Sequence, residues 1–115
     1  MAVREEPVAI PIPFASGQLV VVVLREPKER LWGRLLGLET SGIALRGVEL
    51  SPWEELLGLV KRGESDQVAL GTRFVPMHRI ESFYLDEPSS GVRSLAEEFR
   101  LRTGVGPTDF LADLP

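Results

Sequence analysis

Apolar residues gather into short blocks separated by polar and glycine-rich breaks, and most blocks carry strand character. Leu19-Val20-Val21-Val22-Val23-Leu24 is the densest block, β-branched and apolar at successive positions. It predicts a strand over residues 18 to 26 that is buried on both faces, which requires cover on either side of its sheet. A second strand is predicted over residues 30 to 38. Gly33 and Gly37 within it mark a sharp bend or a close approach of two backbones. The turn Glu39-Thr40-Ser41-Gly42 leads to a third strand over residues 43 to 50. Further strands are predicted over residues 68 to 77, starting raggedly around Gly71, and over residues 79 to 85. Only a tight turn near Met77-His78 can separate those two.

Two segments change period. Trp53, Leu56, Leu57 and Val60 recur at i, i+3, i+4 and i+7, the spacing of one apolar helix face. Ser51 reads as the N-cap of this helix, Pro52 as its first residue and Glu54 as the partner in a capping box. Lys61, Arg62 and Gly63 supply its basic last turn and its stop. A second amphipathic helix is marked by Val92, Leu95, Ala96 and Phe99, with Gly104 as its stop. Pro107 to Leu111 reads as a short helical turn or a docking tail. Residues 1 to 17 form a proline-interrupted arm around Pro7, Pro11 and Pro13, suited to an edge or a clamp over a neighbouring surface. The expected organisation is therefore an arm (1–17), a β domain with an inserted helix at about 52–62 (18–87), and a C-terminal helix with a tail (88–115). Five strands at this spacing suit a small antiparallel barrel, mainly β with added α.

Composition narrows the chemistry. The 115 residues are a common size for one domain. There is no cysteine, which removes disulfides and thiolate metal sites and suits a reducing, cytoplasmic setting. Asp and Glu outnumber Lys and Arg by 17 to 13, a balance that disfavours unaided binding to a phosphate backbone unless the cations are clustered. The longest apolar run has six residues, far below the roughly 20 of a membrane-crossing helix. No signal peptide is expected, because Arg4-Glu5-Glu6 opens a proline-broken segment. The sequence carries no nucleophile elbow, phosphate-binding loop or dinucleotide fingerprint. Glu54-Glu55 and Glu97-Glu98 are helical neighbours whose side chains diverge by about 100° and do not converge on a substrate. The chain reads as non-enzymatic and calls for no cofactor and no metal.

Two segments resemble the Sm motif. Leu31 to Glu39, followed by Ile43-Ala44-Leu45, is similar to its first half, with a glycine in a bent second strand, a turn and an apolar third strand. Phe74 to Phe83 is similar to its second half, where two strands meet at a very short turn. His78, with Ile80 two places on, resembles the bacterial Hfq branch, although Pro76 and Met77 stand where that branch has tyrosine and lysine. The resemblance spans roughly residues 18 to 85. It implies a five-stranded, strongly bent antiparallel barrel of Sm-like or SH3-like type, with a ring of copies joined by edge-strand pairing. It also implies RNA binding in the pore, near the turn that holds His78. The candidate RNA-binding residues are then His78 as a hydrogen-bond donor, Arg73 and Arg79 as phosphate ligands, and Trp32 as a stacking platform. Arg34 and Arg46 would join Arg73 and Arg79 in a basic rim. The alternative on the same barrel is a protein-interaction or scaffold module without RNA, its partner surface being the inserted helix, the C-terminal helix or the arm.

Overall fold

A computed structural model describes residues 14–112. Five strands form one antiparallel sheet: β1 (Leu19–Leu24), β2 (Glu29–Glu39), β3 (Gly42–Glu49), β4 (Gly71–Pro76) and β5 (Ile80–Leu85). Their order across the sheet is β4-β3-β2-β1-β5. Helix α1 (Trp53–Lys61) and a 3₁₀ turn (Ser65–Gln67) lie between β3 and β4. Helices α2 (Leu95–Thr103) and α3 (Pro107–Phe110) follow β5. The expected arm falls largely on residues 1–13, outside the described residues. Its last part is visible: Gly17 donates its amide to the Leu35 carbonyl at 2.7 Å, and the Phe14 ring packs 4.7 Å from that of Phe83.

The sheet is strongly bent but does not close. β2 has 11 residues, which would span roughly 36 Å if straight. Its first residue pairs beside the end of β1 (Leu24 with Glu29) and its last beside the start of β3 (Glu39 with Gly42). Yet one 3₁₀ turn, Met77–Arg79, touches both places: the Met77 amide donates to the Ser41 carbonyl at 2.9 Å, and the Arg25 amide to the Arg79 carbonyl at 2.8 Å. The two ends of β2 are brought together only if the strand folds over on itself. Two glycines permit that. Gly33 stands opposite Gly47, and a Cβ on Gly33 would lie 2.3 Å from the Arg46 carbonyl oxygen. The register then slips between Leu35 and Gly37, a bulge that adds further bend.

The closed barrel expected from the sequence is therefore corrected to an open, curled sheet. The physical reason lies in the 3₁₀ turn. It carries the chain from β4, at one edge, to β5, at the other, so the two consecutive strands pair with β3 and β1 and not with each other.

β1 is buried on both faces, as its sequence requires. Val20, Val22 and Leu24 face the inside of the curl with Leu31, Leu45 and Ile80. Val21, Trp32 and Val48 face outward and are covered by Leu56, Leu57, Phe99 and Leu111 of the helical layer. Leu95, Ala96, Phe99, Val105, Phe110 and Leu111 of the C-terminal segment thus share one hydrophobic cluster with the sheet. The aromatic centre of that layer is Trp32, whose ring lies 5.4 Å from Trp53, edge-on, and 5.5 Å from Phe99.

The helix starts differ from the sequence reading. α1 begins at Trp53 with Pro52 at its cap position and no side-chain cap, so the Ser51–Glu54 capping box does not form. The capping box sits instead on α2, between Ser94 and Glu97. Val92, expected inside that helix, precedes it and is exposed. Gly104 ends α2 in the left-handed conformation with φ 77°, as its type suggests.

Candidate interaction surface

The residues expected to meet RNA do not converge. Trp32 is fully buried, and its indole N–H donates to an Asp86 carboxylate oxygen at 2.9 Å. It has no face to offer a base, so the stacking role is corrected to a core role. The same carboxylate accepts the amides of Leu95 at 2.7 Å and Ala96 at 2.8 Å. Asp86 therefore ties the sheet to the start of α2 and satisfies two of that helix's unpaired amides. Sequence reading places Asp86 in a polar break, because its partners come from β2 and from the start of α2, 54 residues before it and about ten after it.

Arg79 lies in the 3₁₀ turn, and its guanidinium donates to the carbonyls of Arg25 and Pro27, both at 2.9 Å. It closes the turn between β1 and β2. Arg73 on β4 reaches Glu29 at the start of β2, with N···O 3.6 Å. That separation is an ion pair beyond hydrogen-bond reach, and Glu29 Oε1 is buried without a hydrogen bond. Arg34 and Arg46 are cross-strand partners on the outer face. Arg46, 8% exposed, donates to the Ala112 carbonyl at 2.8 Å and to the Thr72 hydroxyl at 3.2 Å, and Arg34 donates to the Leu111 carbonyl at 3.4 Å. These two hold the C-terminal segment on the sheet. The four arginines of the expected rim are thus distributed over three internal tasks. His78 alone of the RNA candidates is exposed without such a contact.

What the surface does present is edge and groove. β4 and β5 each pair with one strand, so among the described residues both outer edges are open. Each edge carries an exposed aromatic, Phe74 at 53% on β4 and Tyr84 at 44% on β5. Beside β4 lies a groove of about 480 Å³ between that strand, β3 and α1, floored by Leu31, Leu45, Val48 and Leu56. Its size falls in the range of ligand pockets.

The surface of α1 is less open. Arg102 of α2 bonds both Glu54 carboxylate oxygens, one at 3.3 Å, and Glu98 at 3.0 Å. The Arg102 hydrogen bond holds the Glu54 carboxyl below its ordinary pKa, with the guanidinium charge adding to the effect.

Among the described residues no group of three or more His, Asp or Glu side chains is placed to hold a metal ion. No described helix is long and apolar enough to cross a membrane. Comparison with protein-family profiles, curated proteins and solved structures returned no match to this chain.

Proposed function

We propose that this chain is a non-enzymatic protein-interaction module on a bent sheet of Sm-like type, working through its open edges. The observation that carries the reading is the pairing of two open edge strands with cations that are already engaged. An unpaired strand offers a row of backbone donors and acceptors to another chain, and Phe74 and Tyr84 add apolar area there. Arg34, Arg46, Arg73 and Arg79 serve the fold, and the overall charge of −4 repels a polyanion.

The Sm-like resemblance favours a second reading, a homo-oligomeric RNA-associated ring in which β4 of one copy pairs with β5 of the next. Exposed His78, on the turn joining those strands, supports that reading. It would require Arg73 or Arg79 to leave an internal partner for a phosphate.

Fluorescence anisotropy with uridine-rich and adenosine-rich RNA oligonucleotides at physiological salt separates the two. The interaction-module reading expects no binding beyond the non-specific range of roughly 10⁻⁴ to 10⁻⁶ M. Nanomolar binding that is lost in His78→Ala would transfer the function to RNA.

A further inference from the structure

We infer that the groove between α1 and β4 is the docking site for an extended segment of another protein carrying apolar and basic side chains in alternation. The inference rests on the interaction-module reading and names the partner class for one of the two edges.

Three observations converge. First, Gly71, Thr72 and Arg73 line the groove consecutively. Successive residues of a strand point to opposite faces, so a groove met by three in a row borders the strand's backbone; Gly47, Val48 and Glu49 of β3 line it in the same way, at and beyond the last β3–β4 pair, Gly47 with Gly71. β4 pairs there only with β3. An incoming strand would find main-chain partners and an apolar trough side by side, which is the arrangement of β-strand addition. Second, the trough is deep enough to reach the inner cluster at Leu31 and Leu45, so alternate side chains of the incoming strand can bury apolar area.

Third, the groove's charges are unbalanced in one direction. Its lining includes Glu49, Glu55 and Arg73. Arg73 already faces Glu29 at 3.6 Å. Glu49 and Glu55 are exposed and have no cationic partner among the described residues. The contrast within α1 is direct: Glu54, one residue before Glu55, is engaged by Arg102. Two uncompensated carboxylates beside an apolar trough select lysine or arginine next to aliphatic residues and disfavour an acidic segment.

The test is a ¹⁵N-edited NMR titration of the full chain with an acetylated dodecapeptide of alternating valine and lysine. The expected result is saturable shifts at Leu59, Val68, Ala69 and Thr72. Affinity should fall roughly tenfold in the double variant Glu49→Lys, Glu55→Lys, from two partly screened ion pairs. The control Glu87→Lys, an exposed charge away from the groove, should keep wild-type affinity. Equal binding of a valine-glutamate dodecapeptide, full affinity in the double variant, or no shifts at about 1 mM peptide would overturn the inference.

Two further outcomes would replace the occupant. Groove amides that shift with protein concentration alone would make it a second copy. A spin label on Ile10→Cys, unique in this cysteine-free chain, that broadens the same amides would make it the chain's own N-terminal segment. A uridine-rich RNA octamer added to the same sample separates the two levels of failure. Shifts at His78 and Arg79 would refute the interaction-module reading, whereas silence with both probes would refute the groove alone.

Discussion

Asp86 shows how much of this fold passes through one side chain. It closes the N-terminus of α2 and receives the Trp32 indole, so its loss leaves three donors short of an acceptor. Asp86→Ala should lower unfolding stability by about 3 kcal/mol, measured by urea denaturation followed through tryptophan fluorescence. Ser94→Ala removes a single cap bond of the same helix and should cost only about 1 kcal/mol. Equal costs would mean that Asp86 is no more than another cap. The glycines of β2 provide a sharper contrast. Gly33→Ala forces a Cβ against the Arg46 carbonyl and the Gly47 backbone, whereas nothing lies within 4 Å of a Cβ at Gly37. The first change should cost on the order of 3 kcal/mol or prevent folding, and the second should stay within about 0.5 kcal/mol. Thermal melts of both variants check this, and a well-folded Gly33→Ala protein would refute the close crossing of β2 and β3.

At the scale of elements, α1 and α2 are joined on the outside by the Arg102 bridge and on the inside by the aromatic cluster. The Glu54 carboxyl is held low by its hydrogen bond to Arg102. A depressed folded-state pKa contributes stability that is present above the unfolded carboxylate pKa and is lost as pH falls through the folded value. A ¹³C-detected titration should place Glu54 below an ordinary glutamate, and Arg102→Ala should return it to the usual range. An unchanged midpoint in that variant would show the bridge to be absent in solution.

The elements also show what the chain reveals by itself. The β-branched run of β1, the bend at Gly33 and Gly37, and the face Trp53, Leu56, Leu57, Val60 follow from local pattern, and the structure bears them out. The capping box was legible in type but not in place. Ser-Pro-x-Glu at Ser51 looks like a better signal than Ser94-x-x-Glu97, which is hidden behind the apolar Val92. Tertiary partners were not legible at all. Nothing local says that Trp32 reaches Asp86, 54 positions away, or that Arg79 returns to Arg25, also 54 away. An arginine that binds phosphate and one that ties a turn look alike until the fold places their partners. The failure to close was illegible for the same reason: local pattern shows a short turn between β4 and β5, and only the fold shows that it links opposite edges of the sheet.

At the scale of the molecule, among the described residues a curled sheet with a helical layer on its outer face leaves two open edges and the groove beside β4 to the outside, and Arg34, Arg46, Arg73 and Arg79 serve the fold. The most direct test of that account is a native mass spectrum of the full chain purified without nuclease. The expected result is a species at a whole-number multiple of the 12.7 kDa chain, with no mass in excess and no nucleic-acid absorbance. A closed ring that retains RNA through purification would contradict it, and would show that the cations seen here serving the fold are released to a phosphate backbone in the assembly.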